Sequence, residues 1–403
     1  MRYLFILNDY FPLKNASGAC VEMVIDVLLK HNHDVHILCA LDDDMDIDKE
    51  GLLIHTVKTT NNQNVKGSNL KSLDVGLIKR LSLYISYLFN YPIQFPRDAK
   101  RYCDRAIALI KEYSIDIVVG VINPIETTVV LPRLKSIFNR LPLIVYELDS
   151  IGDLDNRNGG IRKLLNYKRR IIEKRLYNSA DRIIYMKCHE KYFASKRFDT
   201  IRSKLSVSDF PMYNPKNEYS FNYISSDTIC FIFSGSLYKT IREPQAVIEI
   251  LKGVSKQLKI TCSFFSKGSY EDYLKEEEKN TKGIIKRKGF VESRIIEKEY
   301  DQADILISIG NLMPNMVPSK LYAYMSYGKP IIHFSFIYND PCNEILQNYP
   351  LALILSVDDS ISINANRICS FIKGLESNNN HVIPDDLFPL NRPEYTEKLF
   401  TYE

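Results

Sequence analysis

The sequence has no apolar run long enough for a transmembrane helix. The apolar stretch at the N-terminus, MRYLFILNDYF, is too short for a signal peptide and predicts a first β-strand instead. The eight cysteines are scattered without a CxxC pair, which argues against disulfides and a cysteine metal site. We therefore expect reduced, buried thiols in a cytoplasmic protein.

Charge and histidine spacing exclude two further classes. The formal net charge of +4 is too small to indicate a nucleic-acid partner. His31, His33 and His36 cross from a helix end into a strand, so the three rings would not share a face and hold a metal. The acidic run LDDDMDID, which follows a strand, predicts an exposed loop. We expect no metal and no other cofactor.

The length of 403 residues exceeds the size at which one core keeps growing, so two domains are expected. Hydrophobic residues make up 45% and charged residues 25%, as in soluble globular proteins. We predict an α/β N-terminal domain over 1–205, a polar linker over 206–226 and a second α/β domain over 227–385. We expect the segment 386–403 to cross back to the first domain.

The stretch Asn311–Phe334, NLMPNMVPSKLYAYMSYGKPIIHF, is the most informative part of the chain. Before it, Ala303–Ile309 reads as a buried parallel strand. A proline-containing loop follows, and Ser319 is predicted to be the N-cap of the next helix. Lys320 adds a positive charge to the first turn. A strand, a loop and a helix N-terminus form an anion-binding unit in open α/β sheets.

The string VPSKLYAYMSYGKPII resembles the donor-site segment of retaining glycosyltransferases of the GT-B fold, those of group 1 or family 4 type. The resemblance implies two Rossmann-like domains that face each other across a cleft, with a nucleoside diphosphate sugar held mainly by the second. It extends to Ser17-Gly18 in a loop of the first domain, placed beside the donor diphosphate. It also covers the loop after strand Thr228–Phe233, where Gly235 is kept, Ser236 replaces a basic residue and Arg242 supplies a second one.

The resemblance also assigns Gly289-Phe290 to a turn whose main chain meets the nucleotide base. The donor-binding residues it implies are Gly18, Gly235, Arg242, Gly289, Phe290, Val317, Pro318, Ser319 and Lys320. In this family the leaving phosphate itself can take the acceptor's proton, so the protein supplies positioning and charge stabilisation.

Two catalytic candidates come from positions where the family has other residues. Asp149, in the segment YELDSIGDLD after strand Leu143–Glu147, occupies the place of a sugar-contacting His. It is suited to orient a sugar hydroxyl or accept a proton, although Asp is also a common loop residue. Asn315 and Ala323 replace two Glu residues, the first near the sugar and the second on the ribose hydroxyls.

A basic helix is predicted over Ile161–Leu176, with seven basic residues and one acid, 7 − 1 = +6. Its apolar residues include Leu164, Leu165, Ile171 and Ile172. A solvated face, an acidic partner within the chain and a membrane surface all remain open for it. Membrane contact would place the protein peripherally at the inner face of the membrane.

The predicted function is transfer of a hexosyl group from a nucleoside diphosphate sugar, with a UDP-sugar favoured. The acceptor is a hydroxyl of a glycan or lipid-linked molecule in bacterial surface-polysaccharide synthesis, and the resemblance implies retention. Because Ala323 cannot accept a ribose hydrogen bond, a non-catalytic GT-B partner subunit of a glycosyltransferase complex is the alternative. A nucleotide-sugar epimerase shares the fold and is the third hypothesis.

Overall fold

The structure is a computed structural model of the chain. It describes all residues except 12–14, 42–45, 50, 60–90, 94, 153–159, 216–219, 222–226, 292, 315, 378–380, 383–386 and 402–403. The apolar residues of Leu70–Tyr91 recur at helical spacing, which predicts a helix, and this stretch lies almost entirely outside the described residues. Contacts divide the chain into two units, Met1–Pro211 with Pro393–Glu403, and Met212–Arg392.

The first unit is built around an eight-stranded sheet. Its strands are β1 (Arg2–Ile6), β2 (Asp34–Leu41), β3 (Asp46–Lys49), β4 (Leu52–Lys58), β5 (Ile117–Val121), β6 (Leu143–Glu147), β7 (Arg182–Met186) and β8 (Leu205–Ser208). Their order is β3-β4-β2-β1-β5-β6-β7-β8, and only β3 is antiparallel to its neighbour. The near-continuous apolar strands are those of a parallel sheet covered on both faces.

The helices of this unit are α1 (Ala16–Lys30), α2 (Pro96–Glu112), α3 (Thr127–Ile137), α4 (Gly160–Ser179), α5 (Glu190–Phe193) and, from the C-terminal segment, α12 (Pro393–Lys398). Helix α1 begins at Ala16 because Asn15 caps it, its side chain accepting a hydrogen bond from the Gly18 amide at 2.8 Å. Proline at the first position begins α2 and α12, where its missing N–H costs nothing.

The structure differs from the sequence expectations for this unit in three bounds, while the return of the C-terminal segment to the first unit agrees with them. Strand β7 is followed by another strand, so the start of the predicted linker belongs to β8. The end of the acidic run forms the edge strand β3, because it pairs with β4. The chain leaves the first unit between Pro211 and Met212 and returns to it at Pro393.

The second unit contains a six-stranded parallel sheet. Its strands are β10 (Ile229–Leu237), β11 (Ile260–Gly268), β12 (Ile285–Arg287), β13 (Ile305–Ile309), β14 (Ile331–Ser335) and β15 (Ala352–Ser356), while β9 (Ser220–Phe221) and β16 (His381–Val382) form a separate antiparallel pair. The helices are α6 (Gln245–Val254), α7 (Glu271–Asn280), α8 (Ser293–Gln302), α9 (Lys320–Ser326), α10 (Pro341–Leu346) and α11 (Ile361–Ser377).

The strand order β12-β11-β10-β13-β14-β15 fixes where this second sheet can bind a ligand. The order runs outwards from β10 in one direction and from β13 in the other, as in the doubly wound Rossmann fold. Connections therefore diverge between β10 and β13 and leave a crevice beyond the carboxyl ends of these two strands. In the first unit the same reversal lies between β1 and β5.

Among the described residues, no helix is both long enough and apolar enough to cross a membrane.

Candidate functional site

The crevice of the second unit is lined by polar residues at the ends of β10 and β13. Ser234, Gly235 and Ser236 lie at the end of β10, and Asn311 follows β13. The sequence predicted Gly235 in a loop, but it lies in the strand and pairs with Ser266 of β11. These residues form one edge of the sheet, at the position where Rossmann domains hold their ligands.

Arg242 extends into this edge from the loop before α6. Its Nη2 donates to Asn311 Oδ1 at 2.9 Å, and its Nη1 lies 3.4 Å from the carbonyl oxygen of Ser236. A Cβ on Gly235 would approach Arg242 Nη1 to 3.1 Å, so the glycine makes room for the guanidinium. Asn311, which the sequence analysis missed, holds Arg242 and also donates to the Met316 carbonyl at 2.8 Å.

Lys320, the first residue of α9, reaches the same strand end. Its Nζ donates to Ser234 Oγ at 2.5 Å. The amide of Ser234 donates to the Tyr324 hydroxyl at 2.8 Å, so the helix and the strand are joined at two points. Burial lowers the pKa of Lys320 to about 8, and the positive charges of Arg242 and Lys267 contribute to the shift.

Neither cation has an acidic salt-bridge partner in the described part of the chain. Burial lowers the pKa of Arg242, while electrostatic contributions from Cys342, Tyr324 and Asp340 oppose that shift. Two positive charges held by neutral partners at a sheet edge form an arrangement that favours an anion.

A buried polar network lies next to Arg242. His333 Nε2 is 3.1 Å from Asp340 Oδ2, and its Nδ1 is 3.0 Å from Ser308 Oγ. Asp340 also caps α10 by accepting from the Cys342 amide at 2.9 Å. Burial alone would raise the pKa of Asp340, but the His333 contact brings it below its usual value. His333, Asp340 and Cys342 have ligand-type atoms within 4.8 Å of one another, and these protein contacts account for their arrangement.

The remaining donor-binding candidates of this unit lie in the loops at the same edge, and the cap role predicted for one of them, Ser319, is wrong. Val317, Pro318 and Ser319 lead into α9, but Ser319 has helical backbone angles and makes no side-chain cap hydrogen bond. Gly289 has φ +69°, which favours glycine, and Phe290 beside it is 49% exposed. Asn315, the second catalytic candidate, lies outside the described residues.

The first unit carries the other two candidates. Gly18 lies inside the first turn of α1 rather than in a loop, and its amide is already bonded to Asn15. Asp149 follows the end of β6 by two residues, and its side chain is exposed. Desolvation by the surrounding protein raises the pKa of Asp149, and an electrostatic contribution from His189, after β7, opposes that shift. His189 gave no sequence signal, since it follows β7 without a motif.

Buried carboxyl groups support the loop that carries Asp149. Glu147, at the end of β6, accepts from the Ile151 amide at 3.2 Å and from the Tyr177 hydroxyl. Burial and the neighbouring Glu173 raise the pKa of Glu147 to about 8, so it is largely uncharged at neutral pH. Glu173 in turn accepts from Tyr192 at 2.6 Å and pairs with Arg197.

Helix α4 exposes apolar and basic residues together. Leu164, Tyr167 and Ile171 are 57%, 63% and 50% exposed at helical spacing. Lys163, Arg170, Lys174 and Arg175 are exposed on the same helix. Glu173, its one acid, is buried and points to Arg197, so the exposed surface of the helix carries positive charge only.

Two Rossmann-like domains in one chain define the GT-B fold, and solved structures with this fold resemble the whole chain. WaaG, a glycosyltransferase involved in lipopolysaccharide biosynthesis, is 12% identical with a TM-score of 0.60, over 100% of both chains. A UDP-forming α,α-trehalose-phosphate synthase from Burkholderia xenovorans, in complex with glucose-6-phosphate, is 9% identical with a TM-score of 0.59, over 99% of both.

A UDP-GlcNAc 2-epimerase from Methanocaldococcus jannaschii is 12% identical with a TM-score of 0.56, over 100% of both chains. No family model and no curated protein matches the sequence. At these identities the likeness establishes the fold, as the resemblance of the donor-site segment predicted, and leaves the reaction to be argued from the residues.

Proposed function

We propose that the chain is a glycosyltransferase that moves a hexosyl group from a nucleoside diphosphate sugar, with UDP favoured, to a hydroxyl of a glycan or lipid-linked acceptor in surface-polysaccharide synthesis. The observation that carries the proposal is the pair Arg242 and Lys320 at the switch point of the second sheet. Both are held by neutral side chains, so their charge is available to a diphosphate. Of the solved structures with this fold, WaaG is a glycosyltransferase involved in lipopolysaccharide biosynthesis, and the trehalose-phosphate synthase is UDP-forming.

In the proposed reaction the bond between the sugar and the diphosphate breaks, and negative charge develops on the leaving phosphate. Arg242 and Lys320 stabilise that charge from fixed positions. Retention of configuration is inferred from the family resemblance alone. Asp149 is proposed to orient a sugar hydroxyl or to accept the acceptor's proton, and Glu147 fixes the loop in which Asp149 lies.

Two alternatives share the fold. A non-catalytic partner subunit would bind without turnover, and Ala323, which cannot accept from ribose, is the residue that suggests it. An epimerase would alter the sugar without an acceptor, and the likeness to a UDP-GlcNAc 2-epimerase shows that the fold does not separate these activities.

A screen of the purified protein against UDP-, GDP- and TDP-sugars separates the three. Thermal shift reports binding, released nucleotide reports turnover, and the double variant Arg242→Ala/Lys320→Ala is the matched control. A shift and nucleotide release with one donor, both absent in the control, support the transferase. Binding without release supports the partner subunit, and an altered sugar without acceptor supports the epimerase.

We further propose that α4 brings the protein to the inner face of the membrane. Exposed Leu164, Tyr167 and Ile171 among basic side chains suit an anionic lipid surface. Flotation with vesicles that contain phosphatidylglycerol tests this, with pure phosphatidylcholine vesicles as the control. Equal recovery with both vesicle types, or no loss in Leu164→Ser/Ile171→Ser, would remove the proposal.

A further inference from the structure

The end of β10 lacks a positive charge at the position where the family resemblance expects one, because Ser236 stands there. Strand β11 runs parallel to β10 with Ser236 directly opposite Lys267. Laterally paired residues of adjacent strands project from the same face of a sheet. The side chain of Lys267 therefore leaves the sheet directly beside Ser236, where the family resemblance expects a basic side chain.

The same face carries the contact of Lys320 with β10. Ser234 and Ser236 are two residues apart on β10, so their side chains share a face with Lys267. Ser234 Oγ accepts from Lys320 Nζ at 2.5 Å on that face. The positive charge of Lys267 makes a small contribution to the lowered pKa of Lys320, after burial and Arg242.

Phe290 fixes the Lys267 ammonium group. Lys267 Nζ lies 4.4 Å from the centroid of the Phe290 ring, within the range of a cation–π contact. The described residues include no acidic salt-bridge partner for Lys267. Lys267 is exposed, so its charge is accessible to a ligand.

We propose that Lys267 is the third cation of the diphosphate site and supplies, from β11, the positive charge that Ser236 does not provide on β10. The inference rests on the proposed function, since it takes the ligand to be a nucleoside diphosphate. Each phosphate of the sugar-linked diphosphate carries one negative charge, and the terminal phosphate gains another when the sugar leaves, so a third cation favours the released nucleoside diphosphate. Phe290 is a positioning residue, because it acts through Lys267.

The test measures affinity for UDP, GDP, ADP and TDP by calorimetry, and follows the tightest of them. Lys267→Met is expected to weaken binding about tenfold, the effect of one charged phosphate contact. Binding of the matching nucleoside, which has no phosphate, should not change. Phe290→Leu keeps the charge and should weaken binding less than Lys267→Met does.

The matched control is Lys259→Met, which removes the same charge just before β11 begins, about 26 Å along the strand from Lys267. Relocating the charge in Ser236→Lys/Lys267→Ser should restore most of the lost affinity. Such a rescue separates a local phosphate contact from a general effect of net charge.

The outcomes test the role of Lys267 separately from the proposed glycosyltransferase function. If Arg242→Ala weakens binding while Lys267→Met does not, or if Lys259→Met has the same effect as Lys267→Met, the role of Lys267 is overturned and the donor site stands. If the natural protein binds none of the four diphosphates, the inference and the proposed function are overturned together.

Discussion

Arg242 and Lys320 make the proposed donor site at the scale of single residues. Arg242 donates to Asn311 Oδ1 and Lys320 donates to Ser234 Oγ, and both acceptors are neutral. Each cation can therefore also donate hydrogen bonds to a phosphate oxygen without breaking a salt bridge. We expect Arg242→Ala and Lys320→Ala each to weaken donor binding by about 1.5–3 kcal/mol, as for a hydrogen bond to a charged group. Calorimetry with the donor found in the screen measures this, and unchanged affinity in both variants would remove the diphosphate assignment.

The lowered pKa of Lys320 predicts that donor affinity depends on pH. Because burial lowers it to about 8, the free protein loses this charge as the pH rises through that value. The phosphates of a nucleoside diphosphate sugar do not titrate in this range, so affinity for such a donor should be constant below about pH 7 and fall above pH 8, with proton uptake on binding near pH 8. Lys320→Arg, which stays charged, should flatten the profile, and an alkaline loss that persists in this variant would assign the titration to another group.

Ala323 is the residue that separates this chain from the family pattern at the ribose. It lies on α9, three residues after Lys320, and is partly exposed. If the ribose pocket is otherwise of the family type, Ala323→Glu should tighten nucleotide binding by about 1.5–3 kcal/mol through a hydrogen bond from a ribose hydroxyl. Ala323→Gln is the uncharged control. No gain in either variant would indicate a differently built ribose pocket.

At the scale of elements, β2, β4 and the edge strand β3 are joined by a chain of polar contacts that runs from the interior to the surface. His36 Nδ1 is 3.0 Å from His55 Nε2, and His55 Nδ1 is 2.7 Å from Asp46 Oδ1, which also meets Arg105. Both histidines are buried. Burial, with the charge of His55, lowers the pKa of His36 from 6.5 to about 4.

This pair should make the first unit sensitive to acid. Between pH 6.5 and 4 the unfolded chain binds a proton at His36 that the folded one does not, so stability falls as the pH falls. The expected loss between pH 7 and pH 4.5 is about 2.5 kcal/mol from this residue. Hydrogen exchange of the β2 amides at both pH values measures the free energy of unfolding. Between pH 7 and pH 4.5 the His36→Gln variant should lose less unfolding free energy than the natural protein, by about the amount given for His36. An equal pH dependence of stability in the two proteins would contradict the argument.

The elements also show what the sequence could predict. Strands such as β5 and β13 were predictable, since short apolar runs bounded by loops have few other interpretations. The polar residues at their carboxyl ends followed from the rule for open α/β sheets. Lys320 was found from its place in the first turn of a helix and Arg242 from the family resemblance, and the structure places both at the end of β10.

Other features depend on contacts between distant segments. Lys267 gave no signal, because its position opposite Ser236 depends on the register of two strands. The N-cap role predicted for Ser319 is wrong because the backbone is already helical at this residue. Lys320, the next residue, donates a hydrogen bond to Ser234 of β10. Gly18 was assigned to a loop because the cap role of Asn15 was not recognised.

At the scale of the whole molecule, the chain returns to its first unit at its end. Phe400 is fully buried and packs edge-on against Phe5 and Tyr146, with ring centroids 5.6 and 5.3 Å apart. Arg182 Nη1 donates to the carbonyl oxygens of Leu399 and Thr401 at 2.5 and 2.8 Å. The C-terminal segment is thus part of the core of a unit that begins at residue 1.

Removing the Phe400 ring should therefore destabilise the first unit. Phe400→Ala is expected to cost about 3–5 kcal/mol, the range for a buried aromatic ring, and Phe400→Leu clearly less. Denaturant unfolding followed by exchange of the β1 and β6 amides reports on this unit separately. The second unit's β13 amides are the internal control, and equal loss in both units would show that the effect is not local.

The return of the chain also affects the order in which the protein can fold during synthesis. Domains usually fold as units from the N-terminus as the ribosome releases them. Here the second unit, Met212–Arg392, is translated in full before Phe400 emerges. We expect the nascent first unit to expose an unfilled hydrophobic site beside Phe5 and Tyr146 until Phe400 has been translated, and a chaperone that binds apolar segments would recognise this site.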